Sequence, residues 1–199
     1  KSIYEVPLMF HRQGLDEQLL MLLRQRGGHS NLVAWRNLVE TLNSPQHHVT
    51  IAIAGKYVQV KDAYKSIAEA LLHGGLANKA KVEIRYVDVD SPGMEEELNG
   101  VHGILIPGGF GDRGIEGKIN SVRIARTQNI PFFGICLGMQ CAVIETARNV
   151  AKLKNAHSTE FDRKTPHPVI SLIEEQKKVQ NLGGTMRLGV YACQLKKGS

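Results

Sequence analysis

From residue 49 to residue 150, short apolar runs rich in β-branched residues alternate with stretches of helical spacing. No other feature of the chain constrains its fold so tightly. The pattern predicts strands over 49–54, 81–89, 103–106 and 131–135. It predicts helices over 62–72, 94–98, 115–127 and 137–150, with His73-Gly74-Gly75 ending the first of them. Strands that alternate with helices form βαβ units, and such units build a parallel sheet covered on both faces. The expected class is therefore α/β, with a doubly wound, mostly parallel sheet.

The flanks read differently. Residues 1–25 carry an apolar run, Leu19-Leu20-Met21-Leu22-Leu23, with no neighbouring element to bury it. A second helical stretch, 31–42, spaces Leu32, Trp35, Leu38, Val39 and Leu42 along one face, between breaks at 26–30 and 43–45. Residues 26–48 thus read as a helical linker, and 49–199 as the main domain. Beyond 150, a strand is expected over 169–173, a polar loop over 174–180 and one or two strands over 185–195. Lys1 in place of an initiator Met points to a natural start further upstream.

The formal charge of +6 is spread along the chain among Asp and Glu, which argues against nucleic acid as a partner. No window approaches the ~18 consecutive apolar residues of a membrane span, so no membrane partner is expected. The three cysteines, Cys136, Cys141 and Cys193, are odd in number and lack CxxC spacing. Neither a disulfide framework nor a metal site is favoured, and a reducing, cytoplasmic setting is expected.

Most of the chemical information lies in Phe132-Phe133-Gly134-Ile135-Cys136-Leu137-Gly138-Met139-Gln140. An apolar strand runs directly into a helix, with Cys136 at the junction and a glycine two residues to either side. This is the cysteine version of a nucleophile elbow. The glycines clear space for a sharp turn, and the sulfur stands at the positive end of the helix macrodipole, which favours the thiolate. The N–H of Leu137 is free to stabilise an oxyanion. A buried structural cysteine is the competing reading of Cys136, and it is the one adopted for Cys141 and Cys193.

A second motif runs from Gly103 through Pro107-Gly108-Gly109-Phe110-Gly111-Asp112-Arg113-Gly114, a strand followed by a loop with four glycines. In an open parallel sheet, ligands bind beyond the carboxyl ends of the strands, so this loop and the elbow are expected to face one crevice. N–H groups near Gly109 would then join Leu137 in an oxyanion hole. No Gly-Lys-Ser/Thr follows, which argues against a phosphate-binding P-loop.

With these two motifs the chain resembles the class I (triad) glutamine amidotransferases, whose sheet is flavodoxin-like. More narrowly it resembles the CTP synthase family. The narrower resemblance rests on Gly55-Lys56-Tyr57 with Asp62-Ala63-Tyr64-Lys65-Ser66, on Gly114-Ile115-Glu116-Gly117-Lys118-Ile119, on Asn155 to Phe161 and on Gly183 to Gly189. Tyr4-Glu5-Val6-Pro7 with Gln13-Gly14-Leu15-Asp16 resembles the end of that family's synthetase domain.

The resemblance implies glutamine hydrolysis through a Cys136 thioester, with the ammonia used in ATP-dependent amination of UTP to CTP. It implies Gly109 and Leu137 as oxyanion donors, and Gln140 and Glu160 as holders of the amino-acid end of L-glutamine. It implies GTP as activator, with Phe110, Arg113, Gly114, Lys56, Tyr57 and Arg187 on its side of the site. ATP and Mg2+ would belong to the synthetase domain, a partner within a homotetramer, and no cofactor is expected on residues 1–199 themselves.

The family's triad His and Glu belong to a downstream His-Pro-Glu motif that this sequence does not contain. Poor turnover is therefore expected of residues 1–199 alone. Asn155 to Phe161 and Gly183 to Gly189 argue against an amidotransferase of another pathway and against a cysteine hydrolase on the same sheet, and the alternative that stays open is a non-catalytic nucleotide-binding or assembly module.

Overall fold

The computed structural model describes residues 2–28, 30–58, 60–171 and 194–198. The main sheet contains β1 (His47–Gly55), β2 (Ala80–Asp88), β3 (Gly103–Ile106) and β4 (Phe132–Gly134), in the spatial order β2-β1-β3-β4. β1 pairs with β3 in parallel, Ile51 opposite Gly103 and Ile53 opposite Leu105. β3 pairs with β4 in parallel, Ile104 opposite Phe132 and Ile106 opposite Gly134. That order is flavodoxin-like and places the topological switch point between β1 and β3.

The chain divides into two compact units, residues 1–50 with 64–83, and residues 51–63 with 84–199. In the first, α1 (Val6–Arg12) had no counterpart in the sequence pattern, whereas α2 (Leu15–Leu22), α3 (Val33–Asn43) and α4 (Lys65–Ala77) follow helical stretches that it showed. The apolar run of α2 finds no cover among the described residues: Leu22 is 79% exposed and Leu23 is 66% exposed. One expectation fails here. Gly74 and Gly75 do not stop a helix at 73, because α4 runs through them to Ala77. Gly75 is a close approach instead, since a Cβ there would lie 2.5 Å from the Ala80 carbonyl oxygen. The chain turns at Asn78 and Lys79, and Lys79 takes a left-handed φ of 52°.

In the second unit, α5 (Met94–Glu97), α6 (Ile115–Thr127) and α7 (Leu137–Asn149) appear where the spacing put them. Ile104, Ile106, Ile115, Ile119, Val122, Ile124, Leu137, Cys141 and Ile144 form the centre of one core with Val87, Val89 and Leu98. Ile115, Ile119 and Val122 recur at helical spacing and so share the inward face of α6. The two helices are also tied by charge. Glu145, fully buried on α7, accepts three hydrogen bonds of 2.7–3.1 Å from Arg126 on α6 and one of 3.0 Å from Asn149. A carboxylate out of water needs such saturation, while the Arg126 guanidinium that supplies most of it keeps 40% of its side-chain surface in solvent.

After α7 the strand expected at 169–173 is found as β6 (Pro168–Ile170). It pairs in parallel with β5 (His157–Ser158), which the sequence pattern did not disclose because two residues carry no period. The strands expected over 185–195, the loop over 174–180, Cys193 and the Gly183–Gly189 segment lie wholly or almost wholly outside the described residues.

α6 meets the end of β2 as closely as two backbones can. A Cβ at Gly117 would sit 2.0 Å from the Val89 carbonyl oxygen. Gly117→Ala should therefore lower unfolding stability by about 3 kcal/mol, at the upper end of overpacking costs. Urea denaturation of the two proteins side by side reads this directly. An equal midpoint would show that the helix can retreat at no cost.

Candidate active site

β3 and β4 are neighbours and run in the same direction, so the segments after Ile106 and after Gly134 emerge side by side. The elbow is built by close approach. A Cβ at Gly134 would lie 2.4 Å from the Gly138 carbonyl carbon, and one at Gly138 would lie 2.2 Å from the Ile106 carbonyl oxygen. Only glycine fits at either place. Between them Cys136 takes φ 52° and ψ −105°, a conformation that L-residues rarely adopt, and its side chain is exposed. Such strain is stored where the surroundings over-determine the backbone, and here the effect is to stand the sulfur clear of the turn.

The glycine loop reaches the same place. A Cβ at Gly108 would be 3.4 Å from the Cys136 Cβ, and one at Gly109 would be 3.9 Å from the Leu137 Cδ2. As the first residue of α7, Leu137 has an N–H without an intrahelical acceptor. Gly109, Cys136 and Leu137 are thus brought together as the sequence suggested.

Gln140 lies in the first turn of α7, its N–H donating to the Cys136 carbonyl at 3.1 Å. Its side-chain Oε1 is buried and has no hydrogen-bond partner among the described residues. Glu160 follows β5, half-buried, and burial raises its carboxyl above the ordinary value of 4.5. Gln140 thus offers an acceptor without a donor, and Glu160 a carboxyl group disfavoured as an anion.

A second cluster spans the switch point. Lys56, just beyond β1, donates from Nζ to the Phe110 carbonyl at 2.7 Å, and Arg113 donates to the Lys56 carbonyl at 2.7 Å. Lys56 Nζ and Arg113 Cζ lie 5.4 and 5.8 Å from the centre of the Tyr57 ring, within cation–π range. Gly114, at φ 75°, opens α6 beside them. Five of the six residues assigned to the activator side, Lys56, Tyr57, Phe110, Arg113 and Gly114, therefore share one locality, while Arg187 lies outside the described residues. Phe110 and Tyr57 remain 38% and 48% exposed.

Two residues near this cluster escaped the sequence reading. Asp90 holds Arg113 at 3.5 Å. Lys118 is only 2% exposed, its Nζ has no hydrogen-bond partner among the described residues, and burial lowers its pKa. The signal for Lys118 was present, because Ile115, Lys118, Ile119 and Val122 share one helical face.

Cys141, His157 and His167 have structural places. Cys141 is fully buried in the core, and burial pushes its thiol up to about 11. His157 accepts the Ser158 N–H on Nδ1 at 2.9 Å and turns Nε2 toward Glu116 at 3.6 Å, and burial lowers its pKa. It belongs to an ion cluster with Arg148 and Glu116, not to the elbow. The backbone carbonyl of His167 pairs with the His157 N–H across β5 and β6.

An exposed thiol on a strained elbow, facing a glycine loop across adjacent parallel strands, is the arrangement of an acyl-transfer site. Residues 59–199 match glutamine amidotransferase class-I. The chain belongs to that family. It is 54% identical over 200 residues to a CTP synthase of Syntrophus aciditrophicus (strain SB), covering 99% of this chain and 37% of that protein. It is 50% identical over 196 residues to a CTP synthase of Aquifex aeolicus (strain VF5), covering 98% of this chain and 37% of that protein. The chain thus spans little more than a third of the length of these relatives. Among solved structures it resembles the glutaminase domain of Trypanosoma brucei CTPS with bound acivicin. That match has a TM-score of 0.59 and 41% identity, and covers 63% of this chain and 50% of that one.

The burial of Glu160 sets a pH dependence. The folded chain holds this proton more tightly than the unfolded one. The destabilisation is therefore absent below the ordinary value of 4.5 and grows as pH rises through the folded value. Glu160→Gln should match the parent in stability under acid and exceed it at neutral pH. Urea unfolding across that range checks this, and equal stability at neutral pH would show that the carboxylate is fully solvated.

Proposed function

We propose that this chain hydrolyses L-glutamine at Cys136 and supplies the ammonia for ATP-dependent amination of UTP to CTP. The observation that carries the reading is Cys136 itself, exposed at φ 52° between two glycines that nothing larger can replace. The thiolate attacks the carboxamide carbon, and the charge that develops on oxygen falls to the N–H groups of Gly109 and Leu137. The C–N bond breaks, ammonia leaves, and a glutamyl thioester remains on Cys136 until water releases glutamate and restores the thiol. Gln140 Oε1 and Glu160 receive the α-ammonium of the substrate. This role suits a buried acceptor without a partner and a carboxyl group disfavoured as a lone anion.

The general base is a histidine oriented by a glutamate, in the His-Pro-Glu motif that the resemblance implies. ATP, Mg2+ and UTP belong to the synthetase domain of the same enzyme, which works as a cytoplasmic homotetramer. Residues 1–25 are the tail of that domain, 26–48 the linker and 49–199 the amidotransferase domain. GTP binds beside Lys56, Tyr57, Phe110, Arg113 and Gly114, with Arg187 from the neighbouring motif, and promotes hydrolysis. The cations and the aromatic faces of the first group support that assignment.

Intact-mass analysis after exposure to a glutamine-mimicking diazo ketone tests the site. One adduct is expected, absent in Cys136→Ala, with Cys141 left unmodified because it is buried and its thiol is pushed up to about 11. No adduct on the folded protein would leave a scaffold without a competent nucleophile. In the parent protein, Cys136→Ala should lower glutamine-dependent turnover by about three orders of magnitude or more while sparing turnover with free ammonia.

A further inference from the structure

The turn that presents Glu160 is fastened to two helices. Arg148, in the last turn of α7, donates from Nε to the Ala156 carbonyl at 2.7 Å. Its Nη1 donates to both oxygens of Glu116, at 2.8 and 3.1 Å. Glu116 stands in the first turn of α6. The pair thus puts an anion at a helix N-terminus and a cation at a helix C-terminus, where each is favoured. The start of β5 is held against both.

Beyond that clasp the chain folds back on itself. Ser158, only 1% exposed, accepts the Glu160 N–H on Oγ at 3.2 Å. Its carbonyl accepts the N–H groups of Phe161 and Asp162 at 3.2 and 3.0 Å. Ser158 is itself held by His157, whose Nδ1 accepts the Ser158 N–H at 2.9 Å. The His157 ring also meets the Phe161 ring, with centroids 5.9 Å apart. Two hydrogen bonds therefore connect the imidazole to the backbone of Glu160.

Proton counting fixes the state of that imidazole. A ring nitrogen that accepts a hydrogen bond carries no proton, so neutral His157 has its hydrogen on Nε2. Nε2 stands 3.6 Å from Glu116 Oε1. A second proton can enter only at Nδ1, where it would set one N–H against another. The charged ring would then be drawn toward Glu116 and lose its hold on Ser158. Burial and then Arg148 lower the His157 pKa, against Glu116 and Asp162, which raise it. Asp90 and Asp112 line the same cavity of about 370 Å³ as His157 and Glu116. From beside β6, the His167 carbonyl accepts the His157 N–H.

We propose that His157 is a positioning residue for glutamine binding: its neutral ring holds Ser158, and through Ser158 it sets where Glu160 meets the α-ammonium of the substrate. This inference rests on Glu160 having the role proposed above.

The test uses the parent protein with two substitutions. His157→Phe keeps a ring against Phe161 and removes the acceptor, whereas His157→Asn keeps an acceptor on a side chain that does not titrate. At neutral pH, His157→Phe should raise the KM for glutamine about fivefold, the effect of one lost hydrogen bond. Its kcat at saturating glutamine and its turnover with free ammonia should stay within about twofold of the parent, since no group touching the substrate has changed. His157→Asn should restore the parent KM. As pH falls below the ordinary histidine value of 6.5, the parent should lose glutamine affinity relative to His157→Asn, because protonation removes the acceptor only in the parent. Titration of Cys136 and Glu160 is common to both proteins and cancels in the ratio.

A KM ratio that stays level through the acid range would overturn the inference. So would a fall of ammonia-dependent turnover in His157→Phe, which marks general damage to the fold. Glu160→Gln separates the two readings. If it raises the KM while His157→Phe does not, the positioning role fails alone. If it leaves the KM unchanged, the role given to Glu160 fails, and that of His157 with it.

Discussion

The structure around Cys136 depends on how closely α7 can approach β3. At Gly138 the helix backbone lies so near the Ile106 carbonyl that a single added carbon would fall 2.2 Å from the oxygen. Gly134 lies about equally close to the start of the same helix. Given that approach, the chain has no room for a gradual turn between β4 and α7, and Cys136 carries the whole reversal at φ 52°. The exposure of the sulfur and the direction of the Leu137 N–H follow from this one steric constraint. The chemistry of the site is thus prepared by packing before any ligand arrives.

Holding that geometry requires the two helices at the carboxyl ends of β3 and β4 to stay in register. The Arg126–Glu145 pair supplies part of the restraint, since a fully buried carboxylate with four hydrogen bonds has few alternative arrangements. The apolar faces of α6 and α7 supply the rest through Ile115, Ile119, Val122 and Ile144. Lys118 is the exception to this economy. It sits on the apolar face of α6 without a hydrogen-bond partner among the described residues, near the charges of Lys56, Asp90 and Arg113. Burial works against the charged form of this amine and lowers its pKa.

Pattern and structure agree at some residues and part at others, for physical reasons. The strand over 103–106 and the helices beginning at 115 and 137 were legible because their periods are unambiguous and their ends are marked by glycine or by the elbow. Gly74 and Gly75 misled because glycine signals both a helix end and a close contact, and only the position of Ala80 distinguishes the two. β5 was invisible because its two residues are strand only by virtue of pairing with β6. Glu160 and Gln140 were named as substrate-facing by resemblance, but the half-burial of Glu160 and the unpartnered, buried Oε1 of Gln140 could come only from their surroundings.

The sequence by itself determined the α/β class, the strand-to-helix order and the identity of the candidate nucleophile. Each of these is encoded locally, in hydrophobic period and in the spacing of glycines around Cys136. The meeting of the glycine loop with the elbow was foreseeable from the parallel-sheet rule, but the strand order itself was decided by tertiary structure alone. That β3 lies between β1 and β4 brings Lys56, the glycine loop and Cys136 to one edge of the sheet, although they are spread from position 56 to position 136 of the chain. The same holds for Tyr4, whose partners at 35, 69 and 73 have no relation to it along the sequence. Strand order and helix contact are settled by the free energy of the whole core, to which no short stretch of residues holds the key.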